Sequence, residues 1–275
     1  MARVALPQSK IRARRKRKRI TIAAIIAACI VVFFAFCAWV SHAQFMRIDT
    51  ITVLGAQTVL QNDVQAAVRK DLAGSYGLLF PKDNIFLYPK AEIVQDLTKE
   101  IPTIEQDQIK VVNFHTIAIV ITERTKKALW CPSEDQSLLT NLQDCALLDQ
   151  NGVVYASALS ASSSIVYFGP LTGNKFPHTY LPADQFHSLS ALVDALMARS
   201  QQATDTPVSV AIVGSDVHVQ YQSGFTLIFL LSSAGADVYN HFLLALTSDV
   251  FQGKQLSDFQ YLDLRFGDKL YYKLK

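Results

Sequence analysis

The side chains best suited to chemistry in this sequence are its six histidines and four cysteines, and their spacing does not favour catalysis. No two histidines stand three or four residues apart on a predicted helix, and the H-E-x-x-H sequence of zinc proteases is absent. The sequences G-x-S-x-G and S-x-x-K, which mark activated serines, are absent as well. We therefore expect a binding protein that is not an enzyme and holds no cofactor and no metal. The histidines are His42, His115, His178, His187, His218 and His241.

Three polar side chains near predicted turns and strands are further candidates. Asp144 and Asp149 flank a predicted hairpin, where carboxylates usually cap backbone N–H groups or face solvent. His218 lies in the alternating segment VHVQY, a pattern that favours an exposed position on a strand. None of the three indicates a catalytic site.

Cys131 and Cys145 bracket a polar segment between two predicted strands. Disulfides persist in oxidising compartments outside the cytoplasm, and a bridge closing a loop of this size contributes about 3 kcal/mol in the chain-entropy model. A metal site would need further cysteines or histidines at ligand spacing, and none is near. A disulfide is the favoured hypothesis, and two free thiols are the alternative. Cys29 and Cys37 lie in an apolar segment, which predicts that they act as apolar side chains.

The elements that must position these residues begin with a basic tail and an apolar segment. Nine of the 26 lysines and arginines lie in residues 1–19, and residues 20–40 carry no charge. A helix of this length rises about 30 Å, the thickness of a bilayer's hydrocarbon core. Because basic residues that flank a span stay in the cytoplasm, we expect a cytoplasmic tail, a transmembrane helix and an extracytoplasmic remainder. A cleaved signal peptide over residues 1–43 and a nucleic-acid-binding basic patch are the alternatives.

Beyond the apolar segment the charge balance is acidic. The tail has nine basic residues and no acidic one, so the net charge of +3 divides into +9 for the tail and −6 for the rest. Nucleic-acid-binding domains present a basic face. We therefore expect no nucleic-acid partner.

Residues 45–124 predict a domain of β-α-α-β-β order. Alternating polar and apolar residues predict a first strand that ends at Gly55. Apolar residues at helical spacing predict one helix around residues 64–72 and a second that ends before Pro102. Two β-rich runs follow, at residues 109–114 and 117–122.

Residues 125–275 predict a β-rich domain with two helices. Asn151-Gly152 lies between two β-rich runs and indicates a two-residue hairpin turn, because both residues tolerate positive φ. Apolar stripes predict one helix after Pro182 and another around residues 239–246. The last segment, FQYLDLRFGDKLYYKLK, predicts two strands around Gly267-Asp268. The expected fold class is α+β.

Five local sequences, in this order along the chain, resemble the FtsQ and DivIB family of bacterial cell-division proteins. They are IDTITVLGAQTV, NIFLYPKAEIVQDLTKEIPTI, ITERTKKALW, LLDQNGVVY and YLDLRFGDKLYYK. The resemblance covers essentially the whole chain and implies a membrane helix, a POTRA domain and a β domain. Glu123 and Arg124 match the family's E-R-x-P-x-A-x-W pattern, but Lys126 stands where the family usually has proline. The pair Cys131 and Cys145 is not part of the general family pattern.

The resemblance implies a non-enzymatic scaffold of the divisome at the septum of a bacterial plasma membrane. Such a scaffold binds FtsB-like and FtsL-like division proteins and couples septum assembly to septal peptidoglycan synthesis. Other divisome members would bind the POTRA-like domain by strand addition. The alternative function is a membrane-tethered wall-binding or sensor module, which would bind peptidoglycan and be indifferent to FtsB.

The last strand is the predicted partner-binding site. Alternate residues of KLYYKLK face opposite sides, and an ordinary edge strand protected by lysines would show the same pattern. The resemblance favours an edge that accepts a strand of FtsB. Asp263 and Arg265 match the family motif, although they share a strand face and could pair with each other structurally instead. The residues assigned to partner contact are Phe266, Gly267, Leu270, Tyr271, Tyr272 and Lys273.

Overall fold

The computed structural model has the α+β fold that the sequence predicts, divided into two compact units. We call Met1–Leu97 with Gln106–Thr122 the first unit, and Thr98–Glu105 with Glu123–Lys275 the second unit. The sequence predicts this division after residue 124, with residues 98–105 in the first part, whereas the structure assigns residues 98–105 and 123–124 to the second unit. The structure describes residues 8–77, 79–132, 145–158, 165–169, 176–200, 205–267 and 269–275, with side chains from residue 15 onward.

The first unit begins with a long helix, α1 (Gln8–Ser41). Its portion Arg15–Ser41 is long and apolar enough to cross a membrane, with a mean hydropathy of 2.9 over its 18-residue window. Large apolar side chains along this portion, such as Ile25 and Phe33, are more than half exposed. A helix that is apolar all round and exposed in this way is typical of a membrane span.

The rest of the first unit is a three-stranded sheet with two helices. The sheet has the order β1-β5-β4, and β1 and β5 are parallel. The order of elements matches the predicted β-α-α-β-β, with the addition of a two-stranded hairpin, β2–β3, between the helices. The elements are β1 (Thr50–Leu54), α2 (Gln61–Leu72), β2 (Ser75–Tyr76), β3 (Phe80–Pro81), α3 (Lys90–Glu100), β4 (Ile104–Asn113) and β5 (Thr116–Glu123).

The predicted apolar stripe of α2 is the face that the structure buries. Its members recur three or four residues apart, so they lie on one side of the helix. They are Val64, Ala67, Val68 and Leu72, and all four are buried. In α3, Ile93 and Leu97 are fully buried in the same way.

Gly55 ends β1 at a position that only glycine fits. Its φ is +86°, and a Cβ added there would lie 2.2 Å from the carbonyl oxygen of Ile121. We expect Gly55→Ala to lower the free energy of unfolding by about 2 kcal/mol or more, because left-handed strain and a backbone clash add together. Gly74→Ala is the matched control, since Gly74 has φ +92° and no atom within 4 Å of an added Cβ. Urea unfolding of both variants measures the difference, and equal losses would show that the clash is relieved without cost.

The second unit is a ten-stranded sheet with two helices, α4 and α5, against it. The strand order is β10-β8-β7-β6-β9-β11-β12-β13-β14-β15. Helix α4 contacts β11, and α5 contacts β14. The elements are β6 (Lys126–Cys131), β7 (Ala146–Asp149), β8 (Val153–Ser157), β9 (Val166–Phe168), β10 (His178–Thr179), α4 (Ala183–Ser200), β11 (Pro207–Val213), β12 (Asp216–Tyr221), β13 (Thr226–Leu230), α5 (Ala236–Thr247), β14 (Phe259–Phe266) and β15 (Lys269–Leu274).

The main core of the second unit lies between the sheet and the two helices. Phe186 of α4, Phe242 of α5 and Phe229 of β13 are among its almost fully buried side chains. A smaller buried cluster contains Cys131 and Cys145, which are joined by a disulfide. Of the two hypotheses for these cysteines, the structure contains the bridge. Asp144 lies outside the described residues.

The turn between β7 and β8 differs from the predicted two-residue turn. It spans residues 150–152, and Asp149 caps it: one carboxylate oxygen accepts hydrogen bonds from the N–H groups of Asn151 and Val153, both at 2.8 Å. Asp149 is only 1% exposed. In a tighter turn the backbone would supply the hydrogen bonds that the Asp149 carboxylate supplies here. The turn therefore holds one residue more than the Asn-Gly signal predicts.

Candidate partner-binding edge

Strand β15 forms one edge of the sheet in the second unit. It pairs with β14 through the register Phe259↔Leu274 to Phe266↔Lys269, and no second strand pairs with it in the described part of the chain. The turn between the two strands contains Gly267, whose φ is +63°. Asp268, the other predicted turn residue, lies outside the described residues. An edge strand with an unoccupied side is the element that strand addition requires.

The backbone of β15 presents bonding groups on that unoccupied side. The N–H of Lys275 donates to the carbonyl oxygen of Asp258 at 3.0 Å, so Phe259 and Leu274 form a pair that does not exchange hydrogen bonds. Residues of an antiparallel strand alternate in the direction of their N–H and C=O groups. The backbone groups of Leu270, Tyr272 and Leu274 therefore point away from β14.

The side chains of β15 divide between the two faces of the sheet, as the alternation in KLYYKLK predicts. Leu270 is half-buried and packs against the main core, and the ring of Tyr272 lies edge-on to Phe259 at 5.9 Å. Tyr272 and Leu274 nevertheless remain 42% and 43% exposed. One face of the strand thus combines an anchored end with apolar surface that is open to solvent.

Phe266 and Tyr271 form an exposed aromatic pair beside the turn. Their ring centroids are 5.0 Å apart in an edge-to-face arrangement, and the two side chains are 53% and 49% exposed. The guanidinium of Arg265 lies 5.5 Å from the centroid of Phe266. Exposed aromatic side chains held by their neighbours are typical anchors of protein interfaces. The six residues predicted to contact a partner lie in one hairpin, and four of them have exposed side chains: Phe266, Tyr271, Tyr272 and Lys273.

Asp263 and Arg265 form an ion pair with each other, which is the structural role that the sequence offers as the alternative to partner contact. Arg265 donates to both carboxylate oxygens of Asp263, at 2.9 Å from Nε and 2.6 Å from Nη2. Its Nη1 donates to Asp216 of β12 at 2.5 Å. The Asp263 side chain is 7% exposed. Burial acts to raise the pKa of Asp263, but the hydrogen bonds and charge of Arg265 outweigh burial and hold that pKa below its usual value.

This ion pair gives the second unit a defined pH dependence. We expect Arg265→Ala to lower the free energy of unfolding by about 2 kcal/mol near neutral pH, because the Asp263 carboxylate stays buried without its donors. A lowered pKa stabilises the folded state above the unfolded value of 3.8 and loses that effect as the pH falls through the folded value. In Arg265→Ala the side-chain hydrogen bonds and charge of Arg265 no longer oppose burial, which raises the pKa of Asp263, so the deficit should shrink as the pH falls towards 3.8 and continue to shrink below it.

Chemical unfolding at neutral and at acidic pH measures this deficit. Lys273→Ala, which removes an exposed cation of the neighbouring strand, is the control and should change stability little at either pH. A deficit for Arg265→Ala that is the same at both pH values would contradict the role assigned to the Asp263 carboxylate.

A groove beside the hairpin was not predicted from the sequence. It has a volume of about 250 Å³ and lies between α5 and the β14–β15 hairpin. His241 and Leu244 of α5 line one side, and Leu264, Gly267 and Leu270 line the other. Leu244 is 65% exposed. In the sequence, Leu244 lies just outside the apolar stripe that predicts the buried face of α5. A large apolar side chain next to that stripe is the signal that could have located the groove.

Glu123 and Arg124, the other motif residues, lie at the start of the second unit, away from the hairpin in sequence. The guanidinium of Arg124 donates to Asp149 Oδ2 at 2.5 Å and to the carbonyl oxygen of Pro102 at 3.1 Å. Its side chain is 12% exposed, so Arg124 and Asp149 form a buried ion pair. Arg124 therefore stabilises the capped β7–β8 turn, which is a structural role.

The remaining candidates do not assemble into a site. Across the described ranges, no three His, Cys, Asp or Glu side chains are grouped so that they could hold a metal ion. His218 of β12 is half-buried, although the sequence favours exposure. Its effect on the pKa of nearby Asp263 is to lower it, and this effect is smaller than those of burial and of Arg265.

In the first unit, β1 and β4 are the two edges of the sheet.

Comparison with known proteins does not identify the chain. No protein-family model matches it, and no curated protein matches it in sequence.

Proposed function

We propose that this protein is a non-enzymatic, membrane-anchored scaffold of bacterial cell division, of the FtsQ and DivIB type. Helix α1 anchors it in the plasma membrane at the septum, with the basic tail in the cytoplasm and with the part of the first unit that follows α1, and the whole second unit, outside. The part of the first unit that follows α1 corresponds to the POTRA-like domain, and the second unit corresponds to the β domain. The support for the family is the resemblance of the five local sequences; the support for the anchor is the apolar helix.

The observation that carries the proposed function is the open edge of β15. Its outward backbone groups can pair with a strand of an FtsB-like protein, and hydrogen bonds along such an edge supply affinity. The exposed pair Phe266 and Tyr271 and the exposed face of Tyr272 supply apolar contact next to those bonds. An FtsL-like protein joins through the captured FtsB-like chain. The scaffold thereby couples septum assembly to septal peptidoglycan synthesis.

The first unit would serve as a second docking surface of the same scaffold. Val111 and Val112 of β4 are 53% and 61% exposed, and β4 is an edge of its sheet. An edge strand with exposed apolar side chains suits strand addition, because the side chains add contact area beside the backbone hydrogen bonds. Other divisome members would pair there.

The test is binding of the fragment 44–275 to the outer segment of an FtsB-like protein. Wild type should bind saturably, and the double variant Phe266→Ala, Tyr271→Ala should bind roughly 30-fold or more weakly, as loss of a central aromatic anchor does. Val213→Ala is the matched control, since Val213 is an exposed apolar residue of the same sheet at the end of β11. Near-ultraviolet circular dichroism establishes that each fragment is folded.

Absence of binding by the folded wild-type fragment would overturn the scaffold proposal. Pull-down on purified peptidoglycan then tests the wall-binding alternative directly.

A further inference from the structure

The end of helix α1 is held against the rest of the first unit by a set of polar contacts. The carbonyl oxygen of Ser41, the last residue of α1, accepts a hydrogen bond from Asn84 Nδ2 at 2.9 Å. Asn84 is 2% exposed. The N–H of Ile85 donates to the carbonyl of Met46 at 2.8 Å, and Arg47 forms an ion pair with Asp83. These contacts fix the segment of residues 79–88, which we call the juxtamembrane loop, beside the exit of the helix.

An apolar cleft lies between α1 and the juxtamembrane loop. Its volume is about 320 Å³, and its lining is almost entirely apolar. The helix contributes Phe36, Cys37 and Val40, and the loop contributes Phe80, Phe86 and Leu87. The juxtamembrane loop therefore lies beside the last turn and a half of the apolar helix, not only beyond the C-terminal end of that helix.

This position sets the depth of the loop relative to a bilayer. If Arg19 lies at the cytoplasmic surface, Val40 lies about 30 Å further along the helix, at the outer boundary of the hydrocarbon core. Phe36 then lies about one helical turn, roughly 5 Å, inside that boundary. The loop residues that line the cleft together with Phe36, Cys37 and Val40 therefore lie near that boundary.

Beyond α1, the first unit has three exposed phenylalanines in the cleft lining or next to residues that line it. Phe45, Phe86 and Phe114 are 57%, 68% and 62% exposed. The rings of Phe86 and Phe114 are 6.3 Å apart. Phe114 is in the β4–β5 turn, and the adjacent residue His115 accepts hydrogen bonds from the N–H groups of Asp49 and Thr50 through its carbonyl, both at 3.0 Å. This turn therefore lies at the end of the sheet where β1 begins, which is also the end nearest α1.

We propose that the first unit docks on the outer face of the membrane, with Phe45, Phe86, Leu87 and Phe114 inserted among the lipids and an acyl chain in the cleft. Phospholipid is the occupant because the cleft continues the apolar surface of the spanning helix and offers almost no polar group to a ligand. Aromatic side chains prefer the boundary between headgroups and acyl chains. The proposal rests on α1 spanning the membrane, as the proposed function has it.

The test is photocrosslinking of the full chain in phosphatidylethanolamine–phosphatidylglycerol nanodiscs. Benzoylphenylalanine replaces Phe86, and in a second variant it replaces Leu60. Leu60 is the matched control because it is also 68% exposed and precedes α2, beyond the opposite end of β1. A third variant carries the label at Trp39 of α1. Mass spectrometry counts phospholipid adducts after irradiation.

We expect roughly tenfold or more adducts at position 86 than at position 60, since only an inserted side chain meets lipid continuously. Adducts at position 39 without an excess at 86 over 60 would overturn membrane docking and leave the anchor intact. Absence of adducts at all three positions would overturn the anchor and docking together. Phe86→Asp should also reduce adducts from a label at Phe114, whereas Leu60→Asp should not.

Discussion

Replacing Tyr272 by proline should abolish capture of a partner strand while leaving the second unit folded. The N–H of Tyr272 points away from β14, so proline removes a hydrogen bond that a partner would use and none that β14 uses. Proline is tolerated on edge strands in this orientation. We expect the affinity of the fragment 44–275 for the FtsB-like segment to fall by roughly a hundredfold or more, because the ring also blocks the approach of a neighbouring backbone.

Tyr272→Ala is the matched control for this effect. It removes the same side chain, including its contact with Phe259, but keeps the outward N–H. We expect Tyr272→Ala to weaken binding about tenfold, as loss of a partly buried aromatic contact does. The difference between the two variants measures the backbone contribution. Equal affinities would show that the partner contacts side chains of the hairpin without adding a strand.

Removing the disulfide should produce the largest loss of stability in the second unit. Cys131 and Cys145 are 14 residues apart, and the entropy of closing such a loop corresponds to about 3 kcal/mol. Both half-cystines are also buried, at 5% and 4% exposure. We expect the double variant Cys131→Ala, Cys145→Ala to lose about 3 kcal/mol in the free energy of unfolding.

Thermal and urea unfolding of the full chain in detergent measure this loss. The control is Cys29→Ala with Cys37→Ala, which removes the two free cysteines of α1 and leaves the second unit unchanged. Reductant should destabilise the wild type by about the same amount as the double variant and should not affect the double variant. A double variant as stable as wild type would show that the unfolded chain gains little freedom from losing the bridge.

The main elements could be predicted from the sequence because their signals are local. The uncharged segment over residues 20–40 and the stripe of Val64, Val68 and Leu72 each specify one element without reference to the rest of the chain. The α+β class follows from such elements, and the structure confirms it. The placement of β9 between β6 and β11, by contrast, depends on pairing between strands that are distant in the chain.

The candidate edge was predictable only in part for the same reason. Alternation in the last strand indicates which side chains share a face, but it does not indicate which strand lies at the edge. The pairing of Arg265 with Asp216 joins β14 to β12, two strands that are not neighbours in the sheet, and no local pattern predicts it. The groove beside α5 likewise depends on where that helix packs.

Strand β9 has a mechanical consequence for the proposed scaffold. It has only three residues, Val166–Phe168, and it pairs in parallel with β6 on one side and β11 on the other. Within the sheet, any tension between β6 and β15, where a partner would pull, must cross three parallel strand pairings of three residue pairs each: β6–β9, β9–β11 and β13–β14. Under load the sheet should therefore separate first at one of these short parallel pairings, two of which flank β9, so they set the force that the septal machinery can transmit through this sheet.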